Sequence, residues 1–155
     1  MCSYKKISPF TILITAGINP TPNQAINPDT LLKIRGFHQR ATSTGSKTIH
    51  IAGQGAFDKD FNLIGEGDYR LQTAQAFRNL ALALEAVGAT PADVVSSHMF
   101  VKDLSAEAAQ QFMLGMNEAL DGQPFPPNAS SLIGVQGLAA PGMLVEISAV
   151  AVIDD

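Results

Sequence analysis

The sequence has no tryptophan and a single cysteine, and only 15% of its residues are charged. Each shortage excludes something. One thiol, Cys2, makes no intrachain disulfide and no multi-thiolate metal site. His38, His50 and His98 stand far apart and show no ligand spacing such as i, i+4 on a helix. No metal or other cofactor is expected. No run of Lys or Arg exceeds Lys5-Lys6, and the formal net charge is −4. The basic stripe that nucleic-acid binding requires is missing, and so is the patch that an anionic membrane surface attracts. No apolar run is long enough to cross a bilayer. The stretch "MCSYKKISPFTILITAGINP" sets two lysines before a short apolar segment, a loose imitation of a signal peptide. It holds two threonines and lacks a clear small-x-small cleavage site. Residues 1–22 are therefore read as an N-terminal extension or an extra strand, and a cytoplasmic location is expected.

What the chain does have is apolar mass. It is 46% hydrophobic over 155 residues, which suits one compact domain, placed at residues 23–155. With so few charges, part of the surface is expected to be covered, and a second copy of the chain is the simplest cover.

"NPTPNQAINPD" reads as a loop. Residues 37–43 and 48–52 read as two strands joined through "TGSK", which predicts a hairpin. "AGQGAFDKDFNLIGEGD" is a glycine-punctuated loop. Leu71, Ala74, Phe77, Ala81, Leu84 and Val87 recur at helical spacing, with Asp68 as N-cap and Gly88 as the stop. "DVVSSHMFVKD" alternates as a strand. Ser105 caps a second helix through about Leu120, with Glu107 near its N-terminal dipole. Phe77, Phe112, Met113 and Met116 on these helices are read as core or subunit-interface residues. "PNASSLIGVQGLAAPGMLVEISAVAV" closes the chain as two strands with a Pro-Gly turn between them. The order ββαβαββ predicts an α+β fold with two helices on one face of a mixed sheet. Glu146 interrupts the last strand. Alternation gives it the face of Leu144, Ser148 and Val150, where solvent exposure is the plain expectation.

Several motifs together carry a resemblance. An apolar strand ends in Gly53-Gln54. A helix then carries Gln72, Gln75 and Asn79-Leu80, followed by Gly88-Ala89 and Asp93-Val94-Val95. The close "GVQGLAAPGMLVEISAVAV" follows the pattern V-x-x-L…V-E-I-x-A-x-A. From about Ile26 to Ile153 the chain resembles the RidA/YjgF family. The resemblance implies a chorismate-mutase-like α+β fold and a homotrimer with its sites in clefts between subunits. It implies hydrolysis of reactive enamines and imines to a keto acid and ammonia. Older family labels also mention ribonuclease activity, to which the charge balance here lends little support.

The resemblance places Glu146 in the cleft, where a carboxylate can activate a water and pass a proton to a departing amine. It also exposes two departures. Aligning Val135 and Leu138 with V-x-x-L puts Ser130 where deaminating members carry the arginine that grips the substrate carboxylate. Serine lacks that planar fork, and losing such a contact costs on the order of 1.5–3 kcal/mol. The family's Y-S-Q turn reads Phe37-His38-Gln39, so Phe37 and His38 stand as the substrate-binding candidates there, a ring and an imidazole in place of the hydroxyl pair. Arg35 and Arg40 flank it and are candidates for a displaced cation. Ser130 and Ser131 are expected to orient the substrate, and Asn117 to support the cleft from the neighbouring helix. Two functions compete. One is a metal-free deaminase-type hydrolase of C–N bonds, acting on a substrate other than the usual small 2-imino acid. The other is a non-catalytic trimer that binds a small metabolite.

Overall fold

The computed structural model describes residues 24–32 and 38–154. The expected extension over 1–22, together with Arg35 and Phe37, lies outside them. Chain order is β1 (Gln24–Ile26), β2 (Arg40–Thr42), β3 (Lys47–Gln54), α1 (Tyr69–Glu85), β4 (Val94–Lys102), α2 (Ala106–Ala119), β5 (Ala129–Val135) and β6 (Val145–Ile153). A single 3-10 turn, Pro91–Asp93, leads into β4. The expected α+β arrangement holds: one mixed four-stranded sheet carries both helices on one face.

The sheet order is β3-β6-β4-β5. β6 pairs antiparallel with β3 and with β4, while β5 runs parallel to β4. The two closing strands are thus not neighbours, because β4 lies between them. The expected hairpin between residues 37–43 and 48–52 does not form. β2 pairs instead with β1, inside the stretch read as a loop, and β3 pairs with β6. Burial explains the choice. Ile49 and Ile51 of β3 stand opposite Ala151 and Ala149, and their apolar face joins the main core. A long partner with a matching apolar face outweighs a short local turn.

Both helix starts fall where the caps predict. Asp68 accepts from the Leu71 N–H (2.9 Å) and Ser105 from the Ala108 N–H (3.1 Å). The α1 helix ends at Glu85, and Gly88 turns the chain away at φ +74°. Ala74, Phe77, Leu80, Ala81 and Leu84 are buried against the sheet, whereas Leu71 and Val87, at the ends of the expected stripe, are exposed. Phe77 anchors the core between Phe112 of α2 (ring centroids 6.1 Å apart) and Phe125 (5.3 Å). Met116 packs against this cluster, but Met113 is exposed. Close helix contact depends on Gly115, where a Cβ would press into the Arg70 carbonyl oxygen and lie 2.8 Å from the Thr73 Cβ.

Two polar side chains of α1 fasten the loops around the sheet. Gln72, fully buried, donates to the carbonyls of Gly65 (3.1 Å) and Gly142 (2.9 Å) and accepts from the Leu144 N–H (2.8 Å). Asn79 donates to the carbonyls of Gly55 and Phe57, both at 2.8 Å, and accepts from Gln75 (2.9 Å). The loop after β3 and the loop before β6 are therefore both tied to one helix.

Candidate functional site

Burial alternates along β6. Val145, Ile147, Ala149 and Ala151 are buried on the helix side, while Glu146, Ser148 and Val150 are half-buried on the other. That second face carries no helix. Register then assigns its neighbours, since paired residues in a sheet point the same way. Glu146 stands opposite Phe100, and Phe100 opposite Ile133. In the next row Ser148 stands opposite His98, and His98 opposite Ser131. A third row runs from Val150 through Ser96 to Ala129.

Glu146 is thus a half-buried carboxylate beside an aromatic ring, with His98 one row away on the adjacent strand. His98 and Phe100 lie with ring centroids 6.3 Å apart and planes 22° apart. Among the described residues no side chain or backbone N–H bonds the Glu146 carboxylate. On β3 a register shift between Ile51 and Gln54 brings Gly53 against the Glu146 carboxyl group. Lys102, two positions after Phe100 along β4, lies at the rim with its ammonium 4.0 Å from Asp103.

The expected site residues separate by face. Ser131 shares the face of Glu146, two strands away, about 10 Å along the hydrogen-bonding direction. Ser130 is paired with buried Ser97 and points to the helix side, next to Leu132 in the alternation. Asn117 is exposed near the end of α2, on the layer away from Glu146, and its carbonyl accepts from the Gly122 N–H (2.8 Å). Arg40 is exposed on β2, in the separate two-stranded sheet. His38 forms a bridge to Ala129 that extends the main sheet by one residue beyond β5. Its Nδ1 is buried and has no hydrogen-bond partner among the described residues. One chain therefore places Glu146 and Ser131 on the same face, two strands and one row apart, with His38 at the far edge of the sheet.

Sequence reasoning misses His98, Phe100, Ser148 and Gly53 as site residues. The alternation of "SSHMFVK" already groups His98 with Phe100. What it lacks is the pairing that sets this group beside Glu146.

A cavity of about 410 Å³ opens elsewhere, between the N-termini of α1 and α2. Its lining includes Asp68, Tyr69, Ser105 and Glu107. The Tyr69 hydroxyl donates to the Lys102 carbonyl (2.9 Å), and burial and then Asp103 push its pKa above the usual phenol value. Neither Glu146 nor any residue paired with it lines this cavity. The described residues hold no group of three His, Cys, Asp or Glu able to ligate a metal, and among them no helix is long and apolar enough to cross a membrane.

Comparison with known proteins bears on the same region. The family model described as Endoribonuclease L-PSP matches residues 29–153. Among solved structures, the Rid-family protein YyfB from Yersinia pestis is 36% identical and superposes with a TM-score of 0.77. That match covers 85% of this chain and 99% of the other. A member of the YjgF/YER057c/UK114 family from Mycobacterium tuberculosis is 28% identical, with a TM-score of 0.53, covering 77% of this chain and 88% of the other.

Proposed function

The chain belongs to the Endoribonuclease L-PSP family, the RidA/YjgF family, and we propose that it hydrolyses a reactive imine or enamine on the open face of its sheet, with Glu146 activating the water. Membership itself supports small-molecule binding or imine deamination. The observation that carries the finer reading is the Glu146 carboxylate. It is half-buried beside Phe100, unpaired among the described residues, on a face that no helix covers. Burying an unpaired carboxylate costs stability, so packing gives no reason for an acid at this position, whereas general-base chemistry does.

In the proposed reaction an enamine first tautomerises to its imine. Water attacks the imine carbon as Glu146 takes its proton, and the C=N π electrons move to nitrogen, which picks up a proton. The resulting carbinolamine collapses as the protonated amine leaves as ammonia, and the hydroxyl proton is shed to form the ketone. Glu146 serves first as base and then as proton donor. Ser131 and His98 lie within the same patch and supply hydrogen bonds to a substrate lying over Phe100. The protein acts as a homotrimer, the open faces meeting so that each cleft is closed by a neighbouring subunit. Its ligand is a small metabolite, and its location is cytoplasmic.

The preferred substrate differs from a small 2-imino acid, which is expected to be hydrolysed through Glu146 but held weakly. On β5 the open face presents Ala129, Ser131 and Ile133, with no arginine to grip a carboxylate. The same observation favours a second reading, a trimer that holds a metabolite without turning it over. Ribonuclease activity, suggested by the family's name, is not proposed. With 10 Lys and Arg against 14 Asp and Glu, the chain is net negative, which works against the counterion release that drives RNA binding.

Ammonia release from freshly generated 2-iminobutyrate and 2-aminoacrylate tests the proposal against a protein-free blank. Acceleration that disappears in Glu146→Gln, with the circular-dichroism spectrum unchanged, is the expected result. Equal acceleration by both proteins removes Glu146 from the mechanism. No acceleration by the native protein favours the binding reading.

A further inference from the structure

We propose that Gly53 is a positioning residue whose missing side chain is the seat of the Glu146 carboxylate. The proposal deepens the hydrolase reading and rests on it for its catalytic meaning, but the seat itself is a structural claim.

Glycine at position 53 is not required by the backbone. Among the described residues the glycines with positive φ are Gly65, Gly67, Gly88, Gly122 and Gly142, and Gly53 is not one of them. An alanine could adopt this conformation, so the reason for glycine lies in space. A Cβ at position 53 would fall onto Oε1 and Cδ of Glu146 and lie 2.8 Å from its Cγ. All three atoms nearest to that Cβ belong to this one side chain. The carboxyl group therefore occupies the volume that any other residue would fill.

The strand is shaped to make this contact. Between Ile51, opposite Ala149, and Gln54, opposite Ile147, β3 places two residues against the single Ser148 of β6. Such a bulge bends a strand and re-aims what it carries, and glycine in a strand marks a close approach. The Gln54 amide donates to the Ala52 carbonyl across the bulge (3.0 Å). Two residues beyond Gly53, Asn79 holds the Gly55 carbonyl to α1. The seat is thus fixed from the helix layer, while the carboxylate has no hydrogen bond of its own among the described residues. A side chain without a polar partner is placed by shape alone, and shape here is the gap at Gly53. Water activation depends on that placement, since a displacement of about 1 Å in a reacting group can cost on the order of a hundredfold in rate.

The atoms struck by a new Cβ form the free end of a flexible side chain, so Gly53→Ala is expected to fold and to push the carboxylate aside. The first readout needs no turnover. In carbon-13 NMR the Glu146 carboxyl signal is the one missing from Glu146→Gln. It is expected to move in Gly53→Ala while the other glutamate carboxyl signals stay in place. An unmoved signal overturns the proposal. Stability supplies a second test. Any loss of Tm in Gly53→Ala should vanish when Glu146→Ala is added. A loss that persists means that Gly53 serves the backbone, and the proposal fails.

The third readout is catalytic. Gly53→Ala is expected to lower kcat about tenfold to a hundredfold with a much smaller change in KM. Glu146→Asp, one methylene shorter, should partly rescue it, so that the double variant loses less than the product of the two single losses. Losses that simply multiply overturn the positioning role. If the native protein shows no turnover while the NMR signal moves, the seat stands and the hydrolase reading falls.

Discussion

At the scale of single residues, one alternation decides most of the chemistry. Glu146, Ser148 and Val150 face away from the helices because Val145, Ile147 and Ala149 must face them. This much is legible in "VEISAV", where polar and apolar residues take turns. The neighbours of Glu146 are not legible, since they depend on which strands flank β6 and in what register. The two serines of β5 show the limit. Aligning a short motif singles out Ser130, but pairing with buried Ser97 turns Ser130 toward the helices and leaves Ser131 on the open face. A slip of one residue exchanges the two faces of a strand. A guanidinium introduced by Ser131→Arg should therefore improve the use of 2-iminobutyrate, lowering KM by about tenfold if one charge-assisted contact is gained. Ser130→Arg should instead destabilise the fold without lowering KM. Steady-state kinetics on the two variants check this, and a larger gain from Ser130→Arg would contradict the assignment of faces.

At the scale of elements, the helices are the most readable part of the chain. Asp68 and Ser105 cap them as their sequence positions suggest, and the stripe from Ala74 to Leu84 is buried. Leu71 departs from the stripe because Gln72 and Thr73 take the buried side of the first turn. The short strands are poorly readable. "TGSK" is a sound turn signal, yet β3 finds its apolar partner at the opposite end of the sequence. In sequence, Gln72 and Asn79 stand out only as motif residues. The structure supplies their physical reason, since each binds carbonyls of loops flanking the sheet. The contact between α1 and α2 gives a prediction at this scale. Gly115→Ala gains about 1 kcal/mol of helix propensity but places a methyl against the Arg70 backbone. Overpacking of this kind costs about 1–3 kcal/mol, and backbone cannot step aside as a side-chain end can. The urea midpoint of Gly115→Ala should fall below that of the native protein, and a rise would show that the helices separate freely.

At the scale of the whole molecule, the sheet is covered by helices on one side only. The helix-free face carries half-buried Phe100, Ile133 and Val150 among serines and a histidine. Low charge content in the sequence implies a covered surface, but composition has no direction and cannot say which face. A homotrimer closed over these faces would give each Glu146 a second wall. Light scattering is expected to return three times the chain mass of 16.3 kDa, and a monomer would leave the open face without a cleft. The claim on which the rest depends is that Glu146 works on a substrate held there. The most direct measurement is the initial rate of ammonia release from 2-aminoacrylate by native protein and by Glu146→Gln at matched concentration. Acceleration over the blank by the native protein, abolished in Glu146→Gln with fold and assembly unchanged, is the predicted result. Undiminished acceleration in Glu146→Gln would contradict it.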